Sequence, residues 1–430
     1  MGPVVGRIMR AAAAPEGMPW LWTLPFGHHE DRTFPRCHEN PVRNSRAASM
    51  RACTMPDLKN QHFVPRCLLR PFTHQGGGRA VNLYNIRHDR LIERASVKGQ
   101  CARNYLYGKD GKIERSLARV EGPFNLLRAR VMDGGNDPTD LHDLTFFAYL
   151  QLRRTEMAVQ RLKESYELMT AGMLQGIEAP PPPSDHSLIV ESLLVCLHTR
   201  QNIEDLKVRI VENRTDIDFV ICDDPSIFMN RFAAQKLGDA GFGVISSGLI
   251  LTMPIAPKFA VLCYDGQVYT VSDLVGGRVI LRDDAAVEAL NELQFLKAAE
   301  NIYFNEWDDR EYVRNQFLTF KDNRPSAWST VTHLVPIREG EEGTRYGIKG
   351  ESERYRVGTL EEAKQAGTSL IKMSFKYPVP TQWFPPLKFR SKPKTFYEGT
   401  GVGHVRKEEW LRPQSIRDRF RHRAPASSAE

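Results

Sequence analysis

The strongest constraint in the chain is a stripe of mainly apolar residues recurring at three- and four-residue steps: Leu141, Leu144, Ala148, Leu152, Thr155, Val159, Leu162, Tyr166 and Met169. That period is helical, and a helix with one apolar face is stable only when the face is covered. Asp137 and Pro138 supply an N-cap and a first-turn proline, and the proline run at residues 180–183 ends the pattern. The rest of the chain must therefore provide an apolar surface for this helix to lie on.

Strand-like runs at residues 208–211, 219–222, 249–255 and 259–264 can provide it, each rich in Val, Ile, Leu or aromatics and bounded by Gly, Pro or Asp. Residues 79–98 alternate around a turn at 87–89, as a hairpin does. Further helices are predicted at 113–132, 186–206, 283–303, capped by Asp283 or Asp284, and 310–320. Strands and helices come in blocks without regular alternation, which predicts an α+β fold: a helix-rich single main domain over residues 55–325 with a mostly antiparallel sheet. Residues 326–386 read as a small appended α/β unit, with strands at 330–337 and 370–375, a helix at 359–366 and a polar loop at 339–343.

Both ends read differently. Residues 1–54 show neither helical nor strand period and are expected to be a disordered extension, with organised sequence and the expected translation start at Met55. From Leu387 onward Lys, Arg, Pro, Ser and Gly dominate, the composition of a disordered basic tail over residues 387–430. The formal charge of +7 belongs to these two ends, because the intervening chain is close to neutral. Such a tail would attract nucleic acid weakly and without sequence specificity.

No apolar run approaches the ~20 residues that span a bilayer, so no membrane partner is expected. The seven cysteines, at 37, 53, 67, 101, 196, 222 and 263, include no CxxC pair. An odd set without that spacing signals neither a disulfide framework nor a four-thiolate zinc site, and a reducing cytoplasm fits it best.

The most distinctive stretch is residues 60–72, NQHFVPRCLLRPF, where His62 and Arg66 flank a rigid proline ahead of an apolar anchor. Further motifs follow: YLYG at 105–108, the paired Glu114 and Glu121, QLRRT at 151–155, FVICDDP at 219–225, LTMPIAP at 251–257 and NELQ at 291–294. In order and spacing these resemble a bacterial domain-of-unknown-function family, number 4238, over roughly residues 58–304. The resemblance implies no particular activity and carries over no catalytic residue. The sequence departs from the pattern at Cys67, where an aromatic or aliphatic residue is usual, and at Cys222 and Asp224, where a Ser-Asp-Asn-Pro run is usual; the aspartate that matches is Asp223.

Several motif residues are polar where a core would choose otherwise. Glu114 and Glu121, seven apart, share one helix face. Arg154 stands at the edge of the stripe formed by Phe147 and Leu150, and Asn291 and Gln294 interrupt a buried stripe between Val287 and Ala298. His62, Arg66, Glu121, Arg154, Asp223 and Asn291 are therefore the candidate polar site: His62 as acid or base, carboxylates as bases or metal ligands, arginines as anion clamps. The competing reading is structural, with buried Glu–Arg pairs fixing helix packing and His62 capping main-chain groups.

Weaker signals point elsewhere. His28, His29, Cys37 and His38 lie in the extension, and Cys67 near His62 reads as a packed side chain rather than a nucleophile. Asp205-Leu206-Lys207 has the nuclease Asp-x-Lys spacing but no clear strand beneath it. The glycines at 241, 243 and 248 do not fit dinucleotide spacing, and no GK[ST] phosphate loop or GxSxG elbow occurs, so the cofactor stays open. Three function classes remain: a polar pocket for a small or anionic ligand, a metal-dependent hydrolase or nuclease using His62 with Asp223 or Glu121, and an interaction protein with a basic tail.

Overall fold

The computed structural model describes residues 59–171, 181–237, 242–337, 355–365, 370–397 and 403–411, with the strands Val4–Arg10 and Trp20–Thr23 described as backbone. Its helices are α1 (Arg66–Leu69), α2 (Lys112–Met132), α3 (Pro138–Arg154), α4 (Glu156–Ala171), α5 (Asp185–Thr199), α6 (Asp284–Lys297), α7 (Arg310–Phe320) and α8 (Leu360–Gln365). The fold is α+β, and its sheets are mostly antiparallel.

The central sheet runs in the order Leu274–Val275, Arg278–Leu281, Lys207–Asn213, Phe259–Tyr264, Ile250–Ala256, Ile227–Met229. Its neighbours are antiparallel except where Arg278–Leu281 lies parallel to Lys207–Asn213. Alternation along the strands decides what each face meets. Ile210, Leu251, Met253, Val261 and Cys263 pack with Leu144 and Ala148 of α3. Val211, Ile250, Ala260 and Leu262 pack with Val287, Leu290 and Leu293 of α6 on the opposite face. Helices on both faces explain why Ile250–Ala256 is buried along its whole length and reads as a continuous apolar run. A second sheet, Arg90–Ser96, Ala80–Asn85, Asn301–Phe304, Ile221–Cys222, is antiparallel throughout and contains the expected hairpin.

Several expectations are corrected. The helix predicted from residue 138 is two helices, broken at Thr155, whose φ of −77° and ψ of 160° are extended. Its hydroxyl accepts from Ala158 N at 3.2 Å, capping α4, and donates to the buried Asp224 carboxylate at 2.8 Å. The helix predicted over 283–303 stops at Lys297, because residues 301–304 pair as a strand between Ala80–Asn85 and Ile221–Cys222.

The third correction concerns residues 387–397 and 403–411, which fold back onto the main domain instead of forming a disordered tail. Leu387–Phe389 pairs with Tyr269–Val271, and Phe396 pairs with Val405. Arg406 is fully buried there. It holds both carboxylate oxygens of Asp205, at 2.8 and 3.0 Å, and donates to the carbonyls of Val244 (2.8 Å), Ser246 (3.0 Å) and Asn202 (2.5 Å). A basic composition hides one arginine that acts as a core residue.

In the appended unit Ser329–Pro336 pairs with Leu370–Phe375 and Tyr355–Gly358, and Val4–Arg10 and Trp20–Thr23 extend the same sheet, which corrects the expectation that residues 1–54 are disordered throughout, because the edge strand Leu370–Phe375 supplies their pairing partner. Glu164 of α4 ties it to the main domain, accepting from Trp328 N at 3.0 Å and Ser329 N at 3.3 Å. The loop at 339–343, and the candidates His28, His29, Cys37 and His38, lie outside the described residues. Among the described residues no helix is long and apolar enough to cross a membrane.

Arg406→Met should leave Asp205 and three carbonyl groups without their donor in the interior. The expected loss is about 3–5 kcal/mol in urea unfolding; an unchanged midpoint would show that this segment contributes nothing to the fold.

Candidate functional site

The signature stretch enters the fold as the short strand Asn60–His62, paired antiparallel with Ala102–Asn104. Its side chains and main chain are held from two directions. Gln61, buried, accepts from Tyr107 N at 2.6 Å and donates to Gly108 O at 2.8 Å, so the first motif clasps YLYG. From α3, Gln151 donates to Phe63 O at 2.8 Å and Arg154 to His62 O at 2.9 Å. The partner strand is bounded by two non-glycine residues in the left-handed region, Cys101 (φ 50°) and Tyr105 (φ 55°). Each costs of order 1–3 kcal/mol, a strain that persists only where the surroundings fix it.

Arg154 is the centre of this arrangement. Its guanidinium, 1 % exposed, donates to Glu121 Oε1 at 2.6 Å and to Tyr107 Oη at 3.3 Å, while Tyr107 Oη donates back to Arg154 O at 2.8 Å. One buried cation thus joins the first motif, YLYG, α2 and α3. As the spacing predicts, Glu114 and Glu121 both lie on α2 near this cation, and Arg154 bears electrostatically on both Glu114 and the Cys67 thiol.

Three polar atoms of the residues gathered here are buried and have no hydrogen-bond partner: His62 Nε2, Glu114 Oε2 and Gln151 Oε1. The main chain at Val97 and Lys98 favours the protonated ring of His62, opposing burial, while Nε2 itself has no partner. A neutral ring protonated at Nδ1 leaves a bare lone pair at Nε2. Burial lowers its pKa from 6.5, and the nearby Arg66 lowers it further. Burial also raises Glu114 from 4.5, with Arg154 opposing and Glu121 reinforcing the shift. Cys67 is pushed up to about 12 by burial, which leaves its thiol protonated and unreactive as a nucleophile.

Of the six candidates, the structure brings together His62, Arg66, Glu121 and Arg154, with Arg66 exposed at the start of α1. The other two are committed elsewhere. Asp223 accepts from the main-chain N–H groups of Ala299 (2.7 Å), Glu300 (2.7 Å) and Asn301 (3.0 Å), and burial pushes it up to about 6 against those donors. Asn291 accepts from Val220 N at 3.0 Å and donates to Asp218 O at 2.9 Å, while Gln294 accepts from Cys222 N at 3.1 Å and donates to Pro225 O at 2.9 Å. The amides of NELQ thus replace a neighbouring strand along FVICDDP. Their interruption of an apolar stripe signals structure.

Asp224, which departs from the family pattern, is fully buried between Arg161 (2.6 Å), Lys297 (3.2 Å) and the Thr155 hydroxyl. Burial lowers Lys297 to about 8, with Asp224 opposing the shift. Lys297 also donates to Ser226 O. Asp205 of the Asp-x-Lys tripeptide is taken by Arg406. Among the described residues no three His, Cys, Asp or Glu side chains gather as a metal site.

Glu114 is the residue the six-membered set lacks, although its spacing from Glu121 places it on the right face. Tyr107 and Gln61 are the other omissions, although both lie in the motifs at 60–72 and 105–108.

The family described as "Protein of unknown function (DUF4238)" matches residues 60–181 and 183–308. No curated protein and no solved structure matches the chain.

The raised pKa of Glu114 fixes the sign of a pH effect. Its contribution to stability is fully present below 4.5 and lost as pH rises through the higher folded value. Glu114→Gln removes that loss, so its thermal midpoint should overtake the wild type's as pH rises from 4 to 7. A difference between the two proteins that is constant across this range would show that Glu114 is not held in a desolvated position.

Proposed function

We propose, for a chain that belongs to the DUF4238 family of proteins of unknown function, that the cluster at the Asn60–His62 strand binds a small molecule carrying hydroxyl or amine donors and an anionic group. The observation that carries this reading is the set of buried polar atoms without a partner, His62 Nε2, Glu114 Oε2 and Gln151 Oε1, on residues gathered about the Glu121–Arg154 ion pair. Buried polar atoms are ordinarily paired, and unpaired ones on residues of one cluster call for partners from a ligand or a bound water. Arg66, exposed and close enough to influence His62, supplies the attraction for an anion. Hydroxylated phosphates and carboxylates combine these features.

Hydrolysis is a second reading of the same lone pair. With its pKa below 6.5, His62 is neutral at pH 7, and Nε2 is able to take a proton from water or a ligand hydroxyl. Glu121 is held by Arg154 and serves there as an anchor rather than as a base.

A thermal-shift panel of nucleoside monophosphates, sugar phosphates and hydroxy acids on the full chain tests the proposal. A ligand at a hundredfold its Kd stabilises the folded state by about 2.7 kcal/mol. The wild-type midpoint should rise with at least one class, the rise should vanish in His62→Ala and Glu114→Gln, and Asp223→Asn should lower the midpoint yet keep the response. A response that survives both site variants, or none across the panel, contradicts the assignment.

A further inference from the structure

Residues 383–397 and 403–407 and the segment they pack on carry cations and rings that the ligand site does not use. Lys388, Arg390, Lys392 and Lys394 are all exposed. Arg231 lies over the rings of Trp383 and Phe389, at 5.7 and 5.0 Å from their centres, and Lys236 lies 5.4 Å from Phe389. Phe232 connects this end to the next, with ring centres 6.3 Å from Phe389 and 6.2 Å from His404. His404 is stacked on Tyr397 at 4.5 Å and 8°. Tyr397 is 56 % exposed, so the stack presents an open ring to solvent. Lys394 stands 5.2 Å from the Phe396 ring, and Lys407 stands 4.9 Å from the Trp410 ring while pairing loosely with Glu409 at 3.9 Å.

The strip is held in place. Leu387–Phe389 is a paired strand, Arg390 N donates to Val268 O at 2.9 Å, and Lys394 N donates to Gln267 O at 3.2 Å. Arg231 donates to Leu387 O at 2.8 Å, fixing the cation between its two rings. Fixed cations among stackable rings suit a chain of phosphates with unpaired bases: the charges track the backbone, and rings accept any base by its face.

We propose that this ordered strip binds single-stranded nucleic acid without sequence preference. Lys388, Lys392, Lys394 and Lys236 meet phosphates, and the open face of Tyr397, backed by His404, takes a base. Stacking is what separates this occupant from an anionic lipid surface, which would use the charges but not the flat ring.

The test is fluorescence anisotropy of the full chain with a labelled oligo-dT and oligo-rU across a salt series, beside sedimentation with phosphatidylserine vesicles. Lys388→Ala, Lys392→Ala and Lys394→Ala together should weaken oligonucleotide binding and make the salt slope shallower by about 2, as the loss of three phosphate contacts requires. Tyr397→Ala should weaken it by about tenfold. Replacing Arg417, Arg419, Arg421 and Arg423 by Ala should leave most of the binding in place. The proposal is overturned by absent oligonucleotide binding, by binding that survives the triple variant, or by its disappearance in the four-arginine variant. It is equally overturned if Tyr397→Ala has no effect while vesicles bind through the same lysines.

Discussion

A guanidinium buried at the end of a helix organises this protein. Removing an arginine from water costs several kcal/mol, a cost met only when every donor finds an acceptor in good geometry. At Arg154 each of the three guanidinium nitrogens donates once, to Glu121, the His62 carbonyl and the Tyr107 hydroxyl. It can do so only if α3 ends where it does and α2 presents Glu121. The entering strand must also place its carbonyl inward. The neighbouring residues of QLRRT extend the effect: Gln151 takes the Phe63 carbonyl, and Thr155 turns out of the helix to reach Asp224. The family motifs that lie far apart in sequence are consequently joined at one helix terminus.

This economy leaves little polar capacity unspent. Asn291, Gln294 and Asp223 are each used on main-chain groups, and Asp224 is enclosed by two cations and a hydroxyl. Unpartnered buried atoms of His62, Glu114 and Gln151 and the left-handed Cys101 and Tyr105 belong to the elements that meet at Arg154. Strain and unsatisfied acceptors lower stability, and proteins retain such features chiefly where binding or chemistry uses them.

Much of the fold was legible. The Asp137–Pro138 cap, the hairpin before residue 98, the helix at 310–320 and the buried central strands all follow from period and punctuation, because local chemistry sets them. The break at Thr155 was not legible, since the residue sits in phase with the apolar stripe and only the distant Asp224 draws it out. Arg406 was hidden for a similar reason: its acceptors come from residues 202–246, so nothing nearby marks it as core. The candidate site was legible in part. Helical spacing placed Glu114 and Glu121 on one face and Arg154 at a buried edge. Motif membership alone could not tell that Asp223 and Asn291 serve main-chain groups, because both roles use the same polar residue types.

The most direct test is of the histidine. Long-range ¹H–¹⁵N correlation spectra of the full chain, recorded across pH, report both the tautomer of His62 and its pKa, with His62→Gln assigning the signals. A ring protonated at Nδ1, with Nε2 bare and a pKa below 6.5, is the predicted result. A ring protonated at Nε2 would mean that the lone pair on which the binding site rests does not exist, and a pKa above 6.5 would contradict the burial of the ring.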